Sequence, residues 1–263
     1  MIKPTVVYKL FGGKIEVRIY GKSPCDLEEK HVFQIASDLG IRNVYHPDTS
    51  NSNAKICRPR DFTKVKVDGI EIYSGCLTDG VSLVGQENAV WLQTADCPTI
   101  IAYHHLTDEV IVAHAGRASL IDEKGLRTGK ASRQPESVAR VIYEHLIDYF
   151  RQTSVNIEIH SCCGIGPIQF RHPTNHPQYG SFNETMNRYI ALFYGVDCFL
   201  GGDINCGALD LHRLIHNQFR LCGIPADNIR KDVIDTANQR ELFFSRRGGD
   251  PTGHNTILVI RRA

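Results

Sequence analysis

Ala89-Val-Trp-Leu-Gln-Thr-Ala-Asp-Cys-Pro-Thr-Ile-Ile-Ala-Tyr103, followed by Glu109-Val-Ile-Val-Ala-His-Ala-Gly116, decides how this chain folds. Ala89–Gln93, Thr99–Tyr103 and Glu109–Ala113 are short, apolar and rich in β-branched residues, the pattern of buried strands. The polar His104-His105-Leu-Thr-Asp108 between the last two reads as a turn. This order places Cys97 at the end of one element and His114 at the end of another, so a thiol and an imidazole meet at one rim of a sheet. Such a pair supports a thiolate nucleophile and also binds zinc. A packed thiol beside an unrelated histidine gives the same spacing, so the motif alone leaves all three open.

Upstream, Thr5–Leu10 and Ile15–Tyr20 alternate like a hairpin about Gly12-Gly13. Asp26 is placed to cap a helix over Leu27–Leu39, ended by Gly40. Asn43–Ser52, with His46 and Pro47, reads as a polar loop after a short strand. A second hairpin, Thr63–Val67 with Ile70–Tyr73, turns at Asp68-Gly69 and leads through Thr78-Asp79-Gly80 into the Cys97 strand.

Downstream of His114 comes a glycine-bearing connection, Gly116 to Gly129, and then a helix from about Gln134 to Gln152 with its apolar residues on one face. Asn156–His160 is a strand running into Ser161-Cys-Cys-Gly-Ile-Gly-Pro167, a turn that lacks the lysine of a phosphate-binding loop. Thr174–Ser181 is a polar loop and Asn183–Leu192 a helix. Asp210–Cys222 is an amphipathic helix stopped by Gly223-Ile-Pro225, and Ile229–Ile234 returns as a strand. The tail places Arg246-Arg247 before a glycine-rich turn, an arrangement suited to clamping an anion or to a solvated edge. Thr256–Ile260 closes the sheet.

The 263 residues carry 30 basic and 29 acidic side chains, a formal net charge of +1, so no global field points to nucleic acid or to an anionic membrane. A small molecule fits better as partner. The apolar runs are too short to span a bilayer, and the Met1-Ile-Lys-Pro start lacks the apolar stretch of a signal peptide, so the cytoplasm is the expected location. Nine cysteines include no C-x-x-C pair, which predicts reduced thiols and no zinc ribbon. No repeat or linker divides the sequence, and a single domain over 1–263 is expected.

Five motifs occur here in one order: Thr-Ala-Asp-Cys97; Ala-His114-Ala-Gly116; Gly164-Ile-Gly-Pro167; Ala208-Leu-Asp-Leu211; and Phe243-Phe-Ser-Arg-Arg247 with Thr252-Gly253. Together they resemble the laccase-domain (YfiH-type) family, once described as polyphenol oxidoreductases and now known as purine nucleoside phosphorylases with adenosine deaminase activity. The resemblance spans roughly Asp26 to Ile260. It implies an α+β fold of mixed β-sheets packed together with outer helices, a layered arrangement similar to that of toxin-type glutamine deamidases. It also implies a purine nucleoside substrate, phosphate as co-substrate, and a site in which a Cys and two His gather with zinc.

Cys97 and His114 match two of those residues, whereas Ser52 stands where the second His belongs. A serine hydroxyl is a poorer zinc ligand than imidazole, so a metal-poor site is expected, with His46 the nearest substitute in sequence. Copper is not expected, because His104 and His105 point to opposite strand faces. Further departures place Leu10, Arg117, His254 and Asp235-Thr236 at family motif positions, so Arg246 and Arg247 remain as the candidates for binding substrate or phosphate. Alongside the phosphorylase stand two alternatives: a cysteine amidase or deamidase using Cys97 and His114, and a non-catalytic relative that binds a nucleoside or a protein.

Overall fold

A computed structural model describes residues 2–22, 27–50, 54–67, 69–130, 137–148 and 154–262. The first hairpin pairs β1 (Val6–Leu10) with β2 (Ile15–Tyr20) in antiparallel register, Leu10 opposite Ile15. Helix α1 covers Glu29–Asp38, two residues later than expected. Glu28 caps it in a reciprocal box with His31, and Asp26 lies outside the described residues. Strands β3 (Asn43–Tyr45), β4 (Ile56–Cys57), β5 (Thr63–Val67), β6 (Ile70–Ser74) and β7 (Gly80–Leu83) follow.

The deciding stretch forms β8 (Asn88–Thr94), β9 (Thr99–His104) and β10 (Glu109–His114), as expected. The connection after it is not open loop but two short helices, α2 (Arg117–Leu120) and α3 (Glu123–Thr128). Next come α4 (Val138–Asp148), β11 (Ile157–Cys162), α5 (Gly180–Tyr194), α6 (Leu211–Leu221), β12 (Ile229–Lys231) and β13 (Asn255–Arg261).

Two mixed sheets result, in the orders β1-β2-β13-β8-β3-β6-β5 and β12-β11-β9-β10-β7-β4. Alternation along the strands shows how they stack. Val90 and Leu92 of β8, Ile257 and Val259 of β13, Ile101 and Tyr103 of β9, and Val110 and Val112 of β10 meet in one buried layer between the sheets. The intervening residues face outward onto helices. Ala89, Trp91 and Leu258 pack on α1, while Ile100, Ala102, Ile111 and Ala113 pack among α2, α4, α5 and α6. Strands apolar on both faces are the mark of sheets covered on both sides. The architecture is the expected α+β arrangement of packed mixed sheets with outer helices.

Three local expectations change. Asn43–Tyr45 is not loop but strand β3, held in parallel register between β6 and β8, and Val44 and Tyr45 are buried there. The polar residues around it hid a three-residue strand whose burial is set by distant partners. Strand β13 does not close the first sheet at an edge but lies inside it, between β2 and β8. The returning strand ends at Lys231, because Asp232 turns inward to bind the amide of Cys163 at 3.1 Å.

Since the inter-sheet layer is close-packed, Leu92→Ala is expected to destabilise the protein by about 3 kcal/mol. Val65→Ala, at a half-exposed position on the edge strand β5, should change stability by less than about 0.5 kcal/mol. Urea unfolding followed by far-ultraviolet dichroism measures both.

Candidate active site

Cys97 sits in the short link between β8 and β9, and its position is enforced by its neighbour. Asp96 is buried and has φ = 86°, a left-handed conformation unusual for a residue with a side chain. Its carboxylate accepts from the Thr236 hydroxyl at 2.9 Å and from the Arg247 amide at 2.9 Å, and its carbonyl accepts from the Ile165 amide at 2.8 Å. Such a conformation costs about 1–3 kcal/mol and persists only when the surroundings over-determine it. Three bonds to distant segments do so here, and the Thr94 hydroxyl, donating to the Cys97 carbonyl at 2.7 Å, fixes the other side of the turn.

His114 ends β10 opposite Thr99, which brings its ring back beside Cys97. A Cβ built on Gly116 would lie 3.3 Å from both Cys97 Sγ and His114 Nε2, so thiol and imidazole border one small space that only glycine leaves open. The other ring nitrogen, Nδ1, faces Asp79 Oδ1 at 3.3 Å. Asp79 is fully buried, and its second oxygen accepts from the Ala54 amide at 2.6 Å. Gly80 allows this approach, because a Cβ there would come within 2.6 Å of that of Ala113. Burial opposes a charge on His114, but hydrogen bonds with Asp79 and Cys97 outweigh it and raise the pKa to about 9. At neutral pH the imidazole is therefore protonated.

The sequence-derived pair Cys97 and His114 is thus brought together. Asp79, which completes a thiol, imidazole and carboxylate series, was not singled out from sequence. Within Thr78-Asp79-Gly80 it carries the residue types of an ordinary turn, and nothing local marks it as a partner of His114. The two arginines separate. Arg246 turns away to the Asp250 carbonyl and to His254 Nε2, each at 3.3 Å, whereas Arg247 lies beside the Asp96 turn through its amide bond. Arg117, read only as a departure from the family motif, ion-pairs with Glu123 at 2.7 Å and donates to His172 Nδ1 at 2.8 Å. Burial, with the charges of Arg117 and Arg247, lowers the His172 pKa to about 3, so this ring is a neutral acceptor.

A zinc centre of the kind the resemblance implies takes three protein donors. Among the described residues no group of three His, Cys, Asp or Glu is placed to hold a metal. His46 is committed elsewhere, its Nδ1 at 3.0 Å from the Trp91 carbonyl and its ring stacked on that indole at 3.9 Å. Ser52 lies outside the described residues. The two donors among the described residues do not fit a three-ligand centre.

The fold and the site define an α+β protein of two packed mixed sheets with a Cys–His–Asp cluster at their rim. Solved structures carry the same fold. Bacillus licheniformis YfiH superposes with a TM-score of 0.66 at 19% identity, covering 94% of this chain and 93% of its own. YlmD from Geobacillus stearothermophilus gives 0.64 at 17% identity, covering 95% and 92%. A Neisseria meningitidis protein described as DUF152 gives 0.62 at 15% identity, covering 95% of both. The chain therefore has the YfiH-type, or laccase-domain, fold. No family model matches its sequence, and no curated protein does. Among the described residues no helix is long and apolar enough to cross a membrane.

If Asp79 holds the charge on His114, Asp79→Asn should return the His114 pKa toward its ordinary value near 6.5. A raised histidine pKa contributes stability that is complete below the unfolded value and is lost as pH rises from there through about 9. The wild-type protein should accordingly lose at most about 3 kcal/mol between pH 6 and 10 on this account, and Asp79→Asn much less. Histidine-resolved NMR titration with unfolding at several pH values checks this. An unchanged His114 titration in Asp79→Asn would refute it.

Proposed function

We propose that this chain is an enzyme acting on purine nucleosides, cleaving the N-glycosidic bond by phosphorolysis. The observation that carries the reading is His114, an imidazolium at neutral pH backed by the buried Asp79 and bordering the same space as Cys97. In phosphorolysis the bond between C1′ and the purine nitrogen breaks with its electron pair moving to the base. A phosphate oxygen forms the new bond to C1′, giving the free base and ribose 1-phosphate. The departing purine gains negative charge, so a proton donor at the ring lowers the barrier. His114 supplies that proton from Nε2 while Asp79 keeps the ring oriented and the charge favourable. Arg247, on the other side of the Asp96 turn, supplies positive charge for the phosphate.

Purified protein incubated with adenosine and inosine, with and without phosphate, should release free base only when phosphate is present. His114→Ala should lower kcat by 100-fold or more, the scale of a lost general acid. Formation of inosine and ammonia from adenosine would instead assign the deaminase activity. Absence of both reactions, or turnover unaffected in Cys97→Ala and His114→Ala, refutes the proposal.

One arrangement favours a second reading, hydrolysis of a small amide by Cys97. Thiol, imidazole and carboxylate stand in the order in which a nucleophile is activated by a base that a third group orients. Cys97 is half-buried, whereas burial pushes the thiols of Cys162 and Cys163 well up and those of Cys76, Cys198 and Cys222 to about 12, 12 and 11. Iodoacetamide near neutral pH should therefore label Cys97 ahead of these five, and His114→Ala should slow that labelling at least tenfold. Mass spectrometry of the digested protein locates the label. A Cys97 no faster than these five thiols counts against the amidase.

A further inference from the structure

Strand β10 ends at His114, and at its other end, about 17 Å away at the rise of an antiparallel strand, Glu109 lines a separate cavity. That cavity has a volume of about 390 Å³ and is bordered by Arg58, Pro59, Arg60, Ser82, Val84 and Glu109. Its walls come from β7, β10 and the segment between β4 and β5. Glu109 is only 8% exposed, and a carboxylate this deep is costly unless it is hydrogen-bonded. Burial opposes its charge, but hydrogen bonds from His145 Nε2 at 3.1 Å and from the Ser82 hydroxyl, with the charge of Arg58, outweigh it and hold the carboxyl below its usual range. Glu109 is therefore ionised at neutral pH.

Both of those donors go to one oxygen, Oε1. The other, Oε2, accepts no hydrogen bond among the described residues, and it is reachable from solvent rather than enclosed, so it faces the cavity that Glu109 lines. A buried carboxylate satisfied on one oxygen alone favours a partner that brings N–H donors, and an ammonium brings them with the opposite charge. The rest of the lining has the opposite preference. Arg58 is half-buried, and Arg60 is exposed and makes no ion pair among the described residues. Guanidiniums suit a carboxylate, which they hold through paired N–H groups. Pro59 and the 60% exposed Val84 add apolar surface to the same cavity. A simple amine would leave the arginines unused, and a simple carboxylate would leave Oε2 unmet and be repelled by it. Only a small molecule carrying both groups and an apolar remainder uses the whole lining.

We propose that this cavity binds an α-amino acid with an apolar side chain, its ammonium on Glu109 Oε2, its carboxylate at Arg58 and Arg60, and its side chain against Pro59 and Val84. The site stands apart from the nucleoside reading, because it occupies the end of β10 remote from His114.

Isothermal titration tests it with three matched probes: L-leucine, isocaproate, which lacks the ammonium, and isoamylamine, which lacks the carboxylate. L-Leucine should bind at least tenfold tighter than either. Arg60→Gln should weaken L-leucine fivefold or more and leave isoamylamine unchanged, whereas Glu109→Gln should abolish the preference for L-leucine over isocaproate. Arg188→Gln, where Arg188 pairs with Glu184 on α5, should leave all three unchanged. Thermal unfolding shows whether Glu109→Gln is folded; if it is not, Arg60→Gln and the comparison of probes decide. L-Leucine that does not bind, that binds no tighter than isocaproate or isoamylamine, or that keeps its affinity in Arg60→Gln overturns the proposal.

Discussion

The left-handed turn at Asp96 is the constraint on which the site depends. A strand pair alone would place Cys97 somewhere near the rim of the sheet; the Asp96 clamp fixes where. Its carboxylate and carbonyl bind three amide or hydroxyl donors from Thr236, Arg247 and Ile165, segments separated from it by about 70 to 150 positions in sequence. Each donor would otherwise be a polar group at a packed surface, so clamp and donors satisfy one another. The strain at Asp96 and the order of the three surrounding loops are two descriptions of one arrangement.

That dependence explains which parts were legible in sequence. Strands β8, β9 and β10 declare themselves because runs such as Val110–Ala113 are apolar at every position, which suits only a strand covered on both faces. Cys97 and His114 follow from them, since each lies at a strand end and the antiparallel register sets His114 opposite Thr99. Strand β3 and the interior place of β13 were not legible in the same way. Their identity rests on parallel or long-range pairing that leaves no local period, and three residues of β3 flanked by polar ones cannot outweigh that silence.

Asp79 and the gathering of Arg117, Arg127, Arg171 and Arg247 about one cavity were hidden for a related reason. An aspartate between threonine and glycine has the composition of a turn, and only the fold shows that its carboxylate is buried under an imidazole. Arg117, Arg127 and Arg171 look like scattered surface charges along the chain, whereas Arg246 and Arg247 stand out in sequence because they precede a glycine-rich turn. The two side chains diverge, and Arg247 joins residues from α2, α3 and the segment before α5.

The electrostatics of the rim follow from how its carboxylates are spent. Asp79 lies beneath His114, Asp96 faces backbone and hydroxyl donors, and Glu123 holds Arg117 from the side. Each acidic group orients a cation or a turn, and among the described residues none of them pairs with the guanidiniums of Arg171 and Arg247. The rim therefore carries positive charge at two places, at His114 and among the arginines. A ligand that develops charge at one end while carrying it at the other would use both, whereas an uncharged amide would use only the first.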